Sequence, residues 1–195
     1  IFRSPSMLPT NEYLVKEQKR GALITTEVEQ VIKLSPCSVI GITGSKGKTT
    51  TTTILNDILV GMGYNTHLGG NIGTPLFTKI EEMMPEDIVV LELSSFQLMN
   101  MKISPDISVI TNITPNHLNI HKDMEEYVEA KKNIFKFQDE SGLVILNYDN
   151  EITRSCYDEA QGNKVFFGSK NKLQEGYYVD TEDGKIKLCT KDGLR

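Results

Sequence analysis

The run Gly41-Ile42-Thr43-Gly44-Ser45-Lys46-Gly47-Lys48-Thr49-Thr50 has the residue types needed to hold an anion. Glycines let backbone N–H groups converge, a helix start adds its positive dipole end, Lys48 adds a full charge, and the Thr49 hydroxyl is a ligand for a divalent cation. An apolar run (Val39, Ile40, Ile42) precedes it and a helical pattern follows, so the context is strand, glycine turn, helix. That is the setting of a phosphate-cradling loop. The general pattern G-x-x-x-x-G-K-[ST] would place glycine where Ile42 stands; here the glycines fall at 41, 44 and 47.

Four other residues invite chemistry. Glu92 ends the nearly continuous apolar run Asp87–Leu93, where an unpaired carboxylate is costly. It either holds Mg²⁺ at the carboxyl end of a parallel strand or pairs with a lysine. His117 follows a second such run, Ile107–Ile113, and reaches the same sheet edge, whereas His67 and His121 fit surface or backbone-bonding positions. Lys131 lies on the apolar stripe Met124, Tyr127, Val128, Ile134, Phe135, with Lys132 pointing away. It either snorkels to water or is desolvated, with a lowered pKa and a larger fraction of free amine. Asn71, in the loop Gly69-Gly70-Asn71-Ile72-Gly73, fits a left-handed turn better than a ligand contact.

These residues need a scaffold, and the pattern supplies one. Strands are expected at the apolar run Val39, Ile40, Ile42 that feeds the loop and at 64–68, 87–93, 107–113, 142–147 and 164–167, with helices at 48–62, from the cap Asp123 onward, and at 151–160. Alternating strand and helix argues for a mostly parallel α/β sheet flanked by helices; Tyr177–Leu188 adds an antiparallel hairpin turning at Asp183-Gly184. Residues 1–35, with a polar helix at Glu12–Lys19 and a small strand at Ala22–Thr26, read as the tail of another unit, and 36–195 as the main domain.

A chain of 195 residues that is 38% hydrophobic can bury a core. Its net charge of -5 argues against nucleic acid as a partner, no run is apolar enough to span a bilayer, and the three cysteines show no zinc or disulfide spacing. The chain starts at Ile1 without a secretory signal, which suggests an excised segment of a cytoplasmic protein. Its arginines are Arg3, Arg20, Arg154 and Arg195, so charge on a transferred phosphoryl group must be met by Lys46, Lys48 and metal ions, or by an arginine from elsewhere.

Taken together, Gly44–Thr50, Gly69–Gly73, Leu91-Glu92-Leu93-Ser94-Ser95-Phe96-Gln97-Leu98, Asn112-Ile113-Thr114 with His117-Leu118, and Tyr127–Lys131 closely resemble the motifs of the Mur ligases of peptidoglycan synthesis. The resemblance implies the family's P-loop-type central domain and an ATP-dependent amide ligase acting through an acyl phosphate. The Glu-Leu-Ser-Ser-Phe-Gln-Leu stretch points to the member that joins D-glutamate to UDP-N-acetylmuramoyl-L-alanine. Carried over, Gly44, Ser45, Lys46, Gly47, Lys48, Thr49 and Thr50 bind ATP, and Thr49 and Glu92 hold one Mg²⁺. His117 and a carbamylated Lys131 support a second Mg²⁺; Asn71, Ser94 and Ser4 match substrate-contacting positions.

The sequence departs from the family at Ser45-Lys46, at Asn116 and Asn119 around the histidine, and at Ser6 in Ser4-Pro5-Ser6. The resemblance also implies that parts of the first and middle domains and the whole last domain lie outside this chain, leaving an ATPase module not expected to form the amide alone. A folylpolyglutamate synthase relative and a P-loop nucleotide-binding module without ligase activity are the alternatives. A GTPase is disfavoured because Asn171-Lys172-Leu173-Gln174 fails the base-reading motif at its last position.

Overall fold

The computed structural model describes residues 1–116, 120–182, 185–190 and 193–194. Helices α1 (Glu12–Lys19) and α2 (Glu27–Leu34) precede β1 (Ser38–Thr43), α3 (Lys48–Gly61) and β2 (Thr66–Gly70). Next come β3 (Ile88–Glu92), the single turn α4 (Ser95–Leu98), β4 (Ile107–Ile110), α5 (Met124–Lys132) and β5 (Leu143–Asn147). The chain finishes with α6 (Glu151–Ser155), β6 (Asn163–Gly168), β7 (Tyr177–Glu182), β8 (Lys185–Thr190) and the short β9 (Gly193–Leu194).

Among the described residues the strands form one nine-stranded sheet in the order β2-β3-β1-β4-β5-β6-β7-β8-β9. The first seven run parallel; β8 and β9 are antiparallel. The mostly parallel sheet with an antiparallel appendage is thus as the alternation of elements required. The expected turn at Asp183-Gly184 lies outside the described residues.

The connection leaving β1 runs through α3 to β2 on one side, while β4 lies on the other side of β1. Beside such a reversal, at the carboxyl ends of the strands, is where open α/β sheets bind ligands. The register Gly70–Glu92–Ile42–Val109 across four strands fixes which residues reach that rim together.

The two faces of the sheet are covered unequally. Val39, Val89, Leu91, Ile110, Val144 and Leu146 pack with residues of α2, α4, α5 and α6, whereas Ile40, Ile42 and Val90 on the opposite face meet Leu55 and Leu59 of α3. Alternation along each strand sends successive residues to opposite layers.

Two expectations for the first 35 residues need correction. Ala22–Thr26 makes only an isolated bridge, Phe2 to Thr25, and Glu27–Leu34 is a helix that the sequence reading missed. Thr26 caps it by accepting the N–H of Glu29, and its buried Val28 and Val31 join the main core.

Candidate active site

At the end of β1 the chain turns through Gly44 (φ 155) and Gly47 (φ 80). A Cβ on Gly44 would lie 1.9 Å from Thr111 Oγ1, so only glycine allows this approach. Gly47 is the N-cap of α3. The other five α-helices are capped by Asn11, Thr26, Ser94, Asp123 and Asn150, but α3 has no side-chain cap. Its opening N–H groups are therefore available to an outside acceptor, the arrangement that receives phosphate.

Two lysines converge on this loop. Lys48 Nζ donates to the Gly44 carbonyl at 3.1 Å, and Lys131 Nζ donates to the same oxygen at 3.0 Å and to Thr43 Oγ1 at 3.2 Å. Lys131 is only 1% exposed, so it does not snorkel. Its Nζ lies 4.8 Å from the centre of the Tyr127 ring. Burial, and then the nearby charge of Lys48, lowers its pKa from 10.5 to about 7.

Glu92 approaches from the α3 face and is 1% exposed. Its Oε2 accepts from Thr49 Oγ1 at 2.7 Å and its Oε1 from Asn71 Nδ2 at 2.7 Å. Hydroxyl and amide thus take the place of the lysine partner that the sequence left open. They hold the carboxylate without neutralising it.

Asn71 is a correction in its own right. The left-handed residues of its loop are Gly70 (φ 93) and Gly73 (φ 75), and Asn100 is the only non-glycine with positive φ among the described residues. Asn71 instead uses its amide on the Glu92 carboxylate and its N–H on the Glu92 carbonyl at 2.8 Å.

The remaining expected site residues are placed as follows. Ser45 is buried and turned inward: its Oγ bonds both the N–H and the carbonyl of Thr114 and lies 2.9 Å from Tyr127 Oη. The Lys46 and Thr50 side chains are exposed. Ser94 caps α4 through Gln97, whose Oε1 accepts from Ser94 N and Oγ, both at 2.9 Å. Ser4 is exposed and bonds Ser6, while its neighbour Arg3 ties the segment to α4 by donating to the Phe96 and Met99 carbonyls. His117 lies outside the described residues.

The other histidines differ from expectation. His121 is buried, with Nε2 3.0 Å from Ser95 Oγ, Nδ1 3.4 Å from Glu126 and its ring stacked on Phe96. His67 Nε2 meets Asp87 Oδ2 at 2.8 Å, at the far end of the strands.

Thr49 and Glu92 together offer a hydroxyl and a carboxylate of the kind Mg²⁺ takes. Among the described residues no three His, Cys, Asp or Glu side chains are grouped to hold a metal ion. Sequence reasoning gave no role to Thr43 or Tyr127. Thr43 donates to the Leu93 carbonyl while accepting from Lys131, and Tyr127 joins α5 to the loop. The place of Tyr127 on the apolar stripe, four residues before Lys131, was the available signal.

The family model described as the Mur ligase middle domain matches residues 42–194. The UDP-N-acetylmuramoylalanine–D-glutamate ligase of Clostridium acetobutylicum is 50% identical over 200 residues, covering 100% of this chain and 43% of that protein. The ligase of the same name from Clostridium kluyveri is 54% identical over 189 residues, covering 97% of this chain and 40% of its own length. The chain therefore spans less than half the length of these curated relatives.

Among solved structures, UDP-N-acetylmuramoyl-L-alanyl-D-glutamate–2,6-diaminopimelate ligase superposes with a TM-score of 0.66 at 20% identity, over 89% of this chain and 44% of the other. MurF from Thermotoga maritima in complex with ADP does so with a TM-score of 0.63 at 23% identity, over 86% and 41%. These structural likenesses carry the fold, and the family model with the close relatives carries the rest: the chain belongs to the Mur ligase family and contains its middle domain.

Proposed function

We propose that this chain is the nucleotide-binding part of an ATP-dependent ligase that joins D-glutamate to UDP-N-acetylmuramoyl-L-alanine in the cytoplasm. Residues 36–195 would form the central ATP-binding domain, and residues 1–35 the tail of a preceding substrate-binding domain. The observation that carries this reading is the meeting of Lys48 and Lys131 on one carbonyl of the phosphate loop, with Thr49, Glu92 and Asn71 bonded together at its other side. Relatives of that name at 50% and 54% identity support the choice of substrates.

In this reading the substrate carboxylate attacks the terminal phosphorus of ATP, the bond to ADP breaks, and the amine of D-glutamate then displaces phosphate from the acyl phosphate. The chain's contribution is positioning and charge. The opening N–H groups of α3 receive the phosphates. Lys48, now on the Gly44 carbonyl, turns its ammonium to the transferring phosphoryl group. No arginine lies between Gly21 and Thr153 to share that task. Thr49 and Glu92 would hold Mg²⁺, which when bound neutralises phosphate charge.

Lys131, with its pKa near 7, carries enough free amine to add to CO₂. The N–C bond forms, a proton leaves the nitrogen, and the resulting carbamate anion would support a second Mg²⁺ together with His117. A carbamate would replace the hydrogen bond that the ammonium now gives Gly44.

The test is phosphate release by the full-length protein. It should require both UDP-N-acetylmuramoyl-L-alanine and D-glutamate, and Lys48→Ala should reduce it by about a thousandfold or more. Release driven instead by a folate acceptor and L-glutamate would overturn the substrate assignment. ATP binding without release under either condition would leave a nucleotide-binding module only.

A further inference from the structure

One side chain clasps both the N–H and the carbonyl of a residue in the middle of the phosphate loop. Asn112, just past the end of β4, accepts the Lys46 N–H through Oδ1 at 3.0 Å and donates Nδ2 to the Lys46 carbonyl at 2.8 Å. Its backbone carbonyl accepts the Ser45 N–H at 2.8 Å, and Thr111 Oγ1 donates to the same Lys46 carbonyl at 2.8 Å. The loop thus lies on residues 111–112 as on a floor.

That floor is itself held from behind. Asn150 treats Ile113 as Asn112 treats Lys46, with Oδ1 accepting the N–H at 3.2 Å and Nδ2 donating to the carbonyl at 3.1 Å. Asn147, at the end of β5, donates Nδ2 to the Thr111 carbonyl at 2.8 Å. Three asparagines in series therefore connect β5 and α6 to a peptide in the middle of the loop.

We propose that Asn112 is a positioning residue that sets the curvature of the loop and chooses which N–H groups face the nucleotide, an inference that rests on the nucleotide-binding reading of this site. Because the N–H groups of Ser45 and Lys46 are taken by residue 112, the donors left for an anion are those of Gly47 to Thr50, at the uncapped start of α3. Clasping one residue's N–H and carbonyl together needs a donor and an acceptor on one short planar group, which asparagine has and aspartate lacks. An aspartate at 112 would set a carboxylate oxygen against the Lys46 carbonyl.

The experiment uses Asn112→Ala and the isosteric Asn112→Asp in the full-length protein. In the nucleotide-free state, amide hydrogen exchange at Lys46 should quicken by about tenfold in Asn112→Ala. In the ligation assay the KM for ATP should rise by about tenfold or more in both variants, while the KM for the carboxylate substrate stays within about twofold. Unchanged exchange at Lys46 overturns the clasp whatever the nucleotide does. Faster exchange with an unaltered KM for ATP overturns the positioning role. If the wild type binds no nucleotide yet its exchange responds to Asn112→Ala, the functional reading fails and the clasp stands. Should Asn112→Ala fail to fold, Asn112→Asp decides the positioning role through the same KM comparison.

Discussion

The two ends of one parallel sheet handle buried charge in opposite ways. At the amino ends of the strands, Asp87 Oδ2 accepts from His67 at 2.8 Å and from the Met84 N–H at 3.0 Å, and these partners hold its carboxyl below the usual range. At the carboxyl ends, Glu92 leans on a hydroxyl and an amide, and Lys131 on a carbonyl and a hydroxyl; among the described residues neither has a countercharge. Burying ions without a countercharge costs stability unless something that binds completes the set. The first end is completed within the fold, and the second leaves its two ions on neutral partners.

The largest effect that would break this contrast is at Glu92. Glu92→Gln keeps the shape and should reduce ligation by about a hundredfold or more, while the melting temperature holds or rises because a buried ion has been removed. A variant that retains full activity would place Glu92 among structural carboxylates such as Asp87.

Lys131 sharpens the contrast through pH. Its folded pKa of about 7 lies below the unfolded value near 10.5, so between those values the unfolded state binds more protons and stability rises with pH. Lys131→Met removes that penalty. It should stabilise the protein by about 2–4 kcal/mol at pH 6, with the gain fading toward pH 10, as read by denaturant melts across the range. A gain independent of pH would show that packing, not charge, is what the substitution relieves.

The smallest effect is expected at the other end. Asp87→Asn should leave phosphate release unchanged while lowering the melting temperature by a few degrees, since it disturbs the bonds to His67, Met84 and Asn65 at the end away from the loop. Lost activity with an unchanged melting temperature would erase the distinction between the ends.

Most strands were legible because parallel strands buried on both faces read as continuous apolar runs, as Ile88–Glu92 does. The glycine turn between β1 and α3 was legible because Gly44, Gly47 and Lys48 are local in sequence. What escaped was non-local. Helix α2 has only eight residues, and its buried Val28 and Val31 make sense only once the sheet lies beneath them. The isolated His121 read as a surface or backbone-bonding residue, and in the fold its ring is buried against Phe96 and Tyr127, which are distant from it in sequence or on another element. The Asn71 amide was misjudged because its partner, Glu92, is brought beside it by strand pairing. Composition cannot show which carbonyl two lysines share.

The start of α3 has a consequence for how the molecule settles. After Lys48 come five threonines, residues that hold a helix poorly, and of the whole helix only Thr52 is buried. With Gly47 giving no cap, the first turn has little of its own to resist fraying. A bound phosphate would supply the missing acceptor, so occupancy and the last step of local ordering become a single event. The temperature at which that turn unwinds would then serve as a gauge of ligation state.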